Sequence, residues 1–192
     1  GFIEGLYGKF PRIDKELLLK YHKGLIATSC CIGAEIPQAI IKGKLDEAEN
    51  LLKWWLDLLG EDFYIEIQRQ GGNNDLDDMG ISQEQVNQHL LRLAKKYNVK
   101  VIATNDVHYL EEEDSVPHDI LLCVNTNSFV EEKNRFKFSS SEYFFKTSAQ
   151  MQERFADVPE AIAHTLEIAD KCFVPNLERD ILLPAFPVPK EF

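Results

Sequence analysis

The residues best placed to do chemistry are Asp106 and His108, two apart in Asp106-Val107-His108 and directly after Lys100-Val101-Ile102-Ala103-Thr104-Asn105. Residues i and i+2 of an extended segment point to one face. A carboxylate oxygen and an imidazole nitrogen on that face can hold one divalent ion, and Zn²⁺, Mn²⁺ and Fe²⁺ accept both donors. Sites in parallel α/β folds gather at the C-terminal ends of strands, where this pair falls. The plainer alternative is a strand-end aspartate capping the next turn, with an exposed histidine beside it.

Cys30 and Cys31 close a second such run, Gly24-Leu25-Ile26-Ala27-Thr28-Ser29. A thiolate at a strand mouth can complete an N/O/S site; the alternative is a pair of small buried residues. Strand parity counted from Thr28 puts Cys30 on the face that Asp106 occupies relative to Thr104. Glu66 could add a carboxylate, although a glutamate on the polar face of a half-buried strand needs no function. His118 falls near the start of a helix, and His22, His89 and His164 fall in helices, on solvated faces. Glu111-Glu112-Glu113-Asp114 reads as a solvated turn and helix N-terminus, where negative charge is favoured. It lacks the glycine and spacing of a calcium loop. No Walker A loop, GxGxxG, HExxH or GxSxG occurs.

The elements that must position these residues follow from periodicity. Asp14 can N-cap a helix with Leu17, Leu18 and Tyr21 on one side and Gly24 as its stop. The run ending at Ser29 predicts a buried strand. A short helix is expected over residues 36–42, and a strong amphipathic one over 46–59 with Gly60 at its C-terminal end. Phe63-Tyr64-Ile65-Glu66-Ile67-Gln68 alternates with period two and predicts a second strand. Residues 71–80 are rich in Gly, Asn and Asp and predict a loop. Ser82 opens a helix through Tyr97, and residues 100–105 predict a third strand. Helices alternating with strands mean a parallel sheet with crossover helices. Residues 114–124 predict a further helix, residues 129–145 show too little period to assign, and Asp157 can N-cap a helix reaching Cys172. Residues 182–189 are Pro-spaced and extended, like a linker. Leu25-Ile26-Ala27-Thr28-Ser29-Cys30 also echoes Val101-Ile102-Ala103-Thr104-Asn105-Asp106. A barrel with ligands at successive strand ends would produce that echo.

Composition excludes several classes. The 192 residues are 44% hydrophobic with 12 Phe and 6 Tyr, enough to bury a core. The formal charge of -11 argues against a free-standing nucleic-acid-gripping module, which usually carries a basic footprint. No apolar run approaches the roughly 20 residues of a membrane helix, and no signal peptide is visible at the N-terminus. Four cysteines without CxxC spacing read as thiols in a reducing cytoplasm. A first residue of Gly, not Met, reads as a chain processed or cut from something longer.

Seven stretches together resemble one family, in the same order along the chain. They are Pro11-Arg12-Ile13-Asp14-Lys15-Glu16-Leu17-Leu18, Gly24-Leu25-Ile26-Ala27-Thr28-Ser29 with Cys31, and Phe63-Tyr64-Ile65-Glu66-Ile67-Gln68-Arg69. They continue with Ala103-Thr104-Asn105-Asp106-Val107-His108-Tyr109, His118-Asp119-Ile120-Leu121-Leu122-Cys123, Phe155-Ala156-Asp157-Val158-Pro159-Glu160-Ala161 and Leu183-Pro184-Ala185-Phe186-Pro187. The family is the alpha subunit of bacterial DNA polymerase III, and the match falls on the second half of its PHP (polymerase and histidinol phosphatase) domain.

The resemblance implies an α/β fold: a portion of a distorted PHP-type barrel over residues 1–125, a mixed and helical segment over 126–178, and an extended link toward the polymerase core over 179–192. It implies metal ligands at Cys31, Asp106 and His108, with Cys30 standing where members commonly have Gly. Gln70 stands where many have His. The family's other ligands, an H-x-H pair among them, and its polymerase carboxylates are expected outside this chain, so no catalytic residue is assigned within it. The implied cofactors are divalent ions: Zn, Mn or Fe at the PHP site, and Mg at the polymerase site elsewhere. The implied partners are the rest of the alpha subunit and other replicase subunits, with DNA contacted mainly by other regions and no membrane. Two functions are in play for the PHP region. One is phosphoester hydrolysis, as in 3′-end proofreading or pyrophosphate removal, by ions that activate water. The other is a catalytically silent scaffold for the polymerase core or a proofreading partner. A stand-alone PHP phosphoesterase is a third alternative.

Overall fold

The computed structural model describes residues 5–71, 80–174, 176 and 178. A short antiparallel hairpin, β1 (Leu6–Tyr7) and β2 (Phe10–Pro11), comes first. Helix α1 (Lys15–Tyr21) starts where Asp14 accepts a hydrogen bond from the Leu17 N–H at 2.9 Å. None of its residues is fully buried; Leu17 and Leu18 are half-buried and Leu19 and Tyr21 exposed.

The sheet that matters is β3 (Ala27–Thr28), β4 (Phe63–Gln68) and β5 (Val101–Thr104), in that spatial order and all parallel. Parallel neighbours need crossovers. Helices α2 (Glu35–Ile41) and α3 (Leu45–Leu59) form the first, and α4 (Gln83–Tyr97) the second. The alternation read from the sequence is therefore present. Among the described residues the sheet does not close into a barrel.

Each element stops for a local reason. Ser82 and Gln85 cap α4 reciprocally, each side chain bonding the other's backbone N–H. Asn98 ends that helix in the left-handed conformation, with φ 53°. Gly60, with φ 55°, ends α3, where a residue bearing a Cβ would be strained.

The core lies between the sheet and its crossovers. Phe63, Ile65 and Ile67 of β4 are buried together with Ile36, Ile40, Leu52, Val86 and Leu90. The period-two alternation of β4 holds, but its other face is not solvated. Tyr64 is fully buried and Gln68 is 6% exposed, so the strand is covered on both sides.

Beyond β5 come a 3₁₀ turn (Glu112–Asp114) and helix α5 (Ser115–Thr126), which buries only Cys123 and exposes Val116, Ile120, Leu121 and Val124. Residues 127–146 contain no strand or helix, only a bridge between Tyr109 and Phe144. Helices α6 (Ser148–Arg154) and α7 (Glu160–Lys171) follow, and α7 packs on β5.

Three expectations need correction. Asp157 does not cap α7, whose first turn is preceded by Pro159. Its carboxylate is held instead by Arg69, at 2.6 and 2.9 Å, because a bidentate guanidinium outcompetes one backbone N–H. His164 is not on a solvated face; its Nδ1 bonds the Val101 carbonyl at 2.8 Å, at the start of β5. The first predicted strand shrinks to two residues because the chain turns at Cys30. The linker expected over 179–192 lies outside the described residues, as does the loop expected at 71–80 apart from its two ends.

Helix α7 is tied to the sheet by charge. Glu167 accepts from Lys100 through both oxygens at 2.7 Å and from the Tyr64 hydroxyl at 2.6 Å, and Lys171 donates to that hydroxyl at 2.8 Å. The Lys100 ammonium and the Tyr64 hydroxyl hold the Glu167 carboxyl down at about 2. A carboxyl depressed in the folded state stabilises it above the unfolded value and loses that contribution as pH falls through the folded one. Glu167→Gln should therefore lower the thermal midpoint at neutral pH, with the gap from the parent closing as pH drops from about 4.5 toward 2. Calorimetry across that range checks it; a gap as wide at the acid end would refute the assignment.

Candidate metal centre

The C-terminal ends of β3, β4 and β5 lie side by side, and a carboxylate in the middle joins them. Glu66 on β4 accepts from Thr28 on β3 at 2.6 Å and from Thr104 on β5 at 2.5 Å, one oxygen each. Gln68 donates to the same Glu66 oxygen and to Thr104, both at 3.0 Å, and Gln70 donates to Gln68 at 3.1 Å. Ser29 closes the β3 side by accepting from the Glu66 N–H at 2.9 Å. Both Glu66 oxygens are therefore occupied by protein donors. This favours a brace over the metal ligand that its residue type also allowed.

Past this brace, both outer strands end in the same way. Cys30 has φ 59° and Asp106 has φ 44°, the left-handed region that non-glycine residues rarely enter. The residues before them, Ser29 and Asn105, are buried. The echo seen in the sequence is thus a repeated backbone shape. It also corrects the parity argument. Neither strand runs on in extended form through its candidate ligands, so the rule that i and i+2 share a face applies to neither Cys30 nor the Asp106–His108 pair. A left-handed Cys30 accounts physically for a position where relatives would carry Gly. Its thiol is pushed up by desolvation, opposed by the Cys31 backbone N–H.

His108 is fixed by its neighbour. Its Nδ1 bonds the Asp106 carbonyl at 2.7 Å. A carbonyl only accepts, so Nδ1 carries the proton and the Nε2 lone pair is left available. Metal-binding histidines are oriented in this way. Asp106 itself is exposed. The backbone N–H of His108 donates to the Tyr143 carbonyl at 2.8 Å, and Asn105 donates to the carbonyls of Glu142 and Phe144 at 3.0 and 2.8 Å. Residues 142–144 thus hold the end of β5 in place.

The ring of His108 packs among aromatics: Phe138 at 4.7 Å, Tyr143 at 5.7 Å and His118 at 5.8 Å between centroids. His118 stacks on Phe138 at 5.1 Å. Sequence reading gave His118 no part in the site. The contact spans a turn and part of α5, and no spacing within the motif announces it.

Asp106 and His108 fit a borderline divalent ion by donor type and by the oriented imidazole. Cys31 is half-buried in the turn before α2, its Sγ 3.7 Å from where a Cβ on Gly33 would stand. Among the described residues no three His, Cys, Asp or Glu side chains gather as an ion would require. The structure ties the His108 ring to the Asp106 backbone, and among the described residues no trio that includes Cys31 gathers.

Comparison with known proteins extends the reading. A PHP domain matches residues 1–70. The DNA polymerase III subunit alpha of Borreliella burgdorferi is 38% identical over 193 residues, covering 100% of this chain and 16% of the relative. That of Treponema pallidum is 38% identical over 192 residues, with 100% and 16% covered. That of Thermus aquaticus is 38% identical over 195 residues, with 98% and 15% covered. This chain therefore spans about 15% of the length of the curated relatives it matches. With similarity running along its whole length, the chain belongs to the DNA polymerase III alpha-subunit family, as a segment that carries part of the PHP domain.

Proposed function

We propose that this segment supplies Asp106 and His108, with Cys31, to one side of a divalent-metal centre in the PHP domain of a replicative DNA polymerase. The parent protein would perform DNA-directed DNA synthesis in the cytoplasm, with the rest of the alpha subunit and other replicase subunits as partners. The observation that carries the metal reading is the His108 hydrogen bond, which fixes the tautomer and leaves Nε2 free.

Zn, Mn or Fe bound there would act as a Lewis acid and lower the pKa of a bound water, chemistry suited to phosphoester hydrolysis at a DNA 3′ end or of pyrophosphate. The chain's own part is to hold donors in place. Asn105 anchors the end of β5, the Asp106 carbonyl orients the imidazole, and Glu66 keeps β3 and β5 in register across β4. The remaining ligands would come from other parts of the protein.

A scaffold reading is also supported by one observation: the three proposed ligands do not gather among the described residues. In that reading the domain supports the polymerase portion, and any ion serves the fold.

Metal analysis of the intact alpha subunit tests the centre. Asp106→Ala and His108→Ala should each lower bound metal well beyond the roughly 10–100-fold affinity loss typical of an outer-shell change. Wild-type stoichiometry in both variants would remove the assignment. Cys31→Ser should lower metal content more than Cys30→Ser; the reverse order would make Cys30 the ligand.

The 192-residue chain alone is expected to be inactive, since it brings at most these three ligands and no polymerase carboxylate set. Primer extension and 3′-mismatch excision assays on the purified segment check this. Turnover in either, in a preparation free of full-length enzyme, would contradict it.

A further inference from the structure

Next to His108, on the side of α5, lies an open cleft of about 350 Å³. Its wall toward the candidate metal centre is His118 and Phe138, two of the three rings that pack on His108. Its size is at the low end of the roughly 300–1,000 Å³ usual for small-molecule sites. That is room for one nucleotide and not for a duplex.

The lining chemistry is specific in kind. Two cations, Arg135 and Lys137, face it in a chain whose formal charge is -11. Arg135 is nearly buried, with 6% of its side chain exposed, and is held bidentate by Asp119 at 2.5 and 2.6 Å. It is a fixed wall, already neutralised. Lys137 is exposed and extends from the same strand of chain. Hydroxyls supply the rest. Ser139, Ser140 and Ser141 line the cleft in succession, with Ser115 opposite from the start of α5. Ser140 and Ser141 already donate to the Gln70 carbonyl and the Glu112 carboxylate, so Ser139 and Ser115 are the hydroxyls left to a ligand.

Tyr109 completes the cleft. Its hydroxyl is buried and has no hydrogen-bond acceptor among the described residues. Burial pushes the phenol up, so it stays a neutral donor. A buried donor without an acceptor costs free energy, and a ligand oxygen would relieve it. Aromatic faces for a base, hydroxyls and one available ammonium for an anion, and a donor awaiting an acceptor describe a phosphorylated nucleoside.

We propose that this cleft binds a single nucleoside monophosphate, with its base against His118 and Phe138 and its phosphate near Lys137 and the Ser139 and Ser115 hydroxyls. The proposal rests on the metal-centre reading only for what it adds to it, a place for the terminal nucleotide beside His108. Nucleotide binding itself needs no ion.

The test uses the intact alpha subunit in chelator, so that neither the metal centre nor the polymerase magnesium site contributes. Ligand-observed NMR titrations with dAMP, deoxyadenosine and inorganic phosphate are compared between the parent, Lys137→Ala and Tyr109→Phe. Tyr109→Phe keeps the ring and its packing, which guards against a folding artefact. The parent should bind dAMP at least tenfold more tightly than either fragment of it. Each variant should weaken dAMP about tenfold, the loss expected for one hydrogen bond to a charged group. Equal affinity for dAMP and inorganic phosphate would reduce the cleft to an anion site and overturn the proposal. Unchanged dAMP affinity in both variants would overturn it as well. A normal dAMP response alongside wild-type metal content in Asp106→Ala would sink the metal centre and leave the cleft standing.

Discussion

The strand mouths depend on one carboxylate. Glu66 sits on the middle strand and accepts a threonine hydroxyl from each neighbour, while the backbone N–H of the same residue is taken by Ser29. Parallel strands cannot set their register through a tight hairpin; they are joined only through crossovers of a dozen or more residues. Their ends are therefore the places most free to slide. A charged acceptor between two hydroxyl donors resists that, since hydrogen bonds to ionised groups are roughly twice as strong as neutral ones. The geometry of Cys30 and Cys31 on one side and of Asp106 and His108 on the other is referred to this single group. Removing it would strand Thr28, Thr104 and Gln68 together, so the unit stands or falls as a network.

How much of this the sequence announced varies by element. Phe63–Gln68 was legible in both extent and direction, because β-branched and aromatic residues alternate and Gly60 precedes them. Helix α4 was legible because Ser82 and Gln85 form a reciprocal cap ahead of a clean apolar stripe. The left-handed turns at Cys30 and Asp106 were not, because neither residue is glycine and nothing local forces φ positive. Their shape comes from buried Ser29 and Asn105, whose partners are distant in the chain: Tyr64 and Glu66 for one, Glu142 and Phe144 for the other. The same holds for Arg69, whose guanidinium gathers Glu84, Asp157 and the Arg154 carbonyl from three elements. Local propensity placed Asp157 at a helix cap. A tertiary charge overrode it.

The candidate site divides along the same line. The Asp-x-His pair was legible as a pair of donors, but for a reason the backbone does not honour. The two residues are linked not by extended parity but by a hydrogen bond from the His108 ring to the Asp106 backbone carbonyl. Cys31 was one of two thiolate candidates at a strand mouth, and family resemblance alone singled it out from Cys30. An ion bound by residues from several strand ends is itself a folding constraint.

Residues 135–145 connect the two halves of the site although they form neither helix nor strand. Tyr143 and Phe144 fasten the end of β5 through backbone bonds, Phe138 packs on both histidines, and Arg135 anchors the segment to α5 through Asp119. Ser140 reaches back to the Gln70 carbonyl at the end of β4. This strap carries the Lys137 ammonium and the Ser139 hydroxyl, which suit an anionic ligand, while the turn after β5 carries Asp106 and His108, donor types that suit a cation. Their shared wall is His118 and Phe138, which pack on the His108 ring on one side and line the cleft on the other.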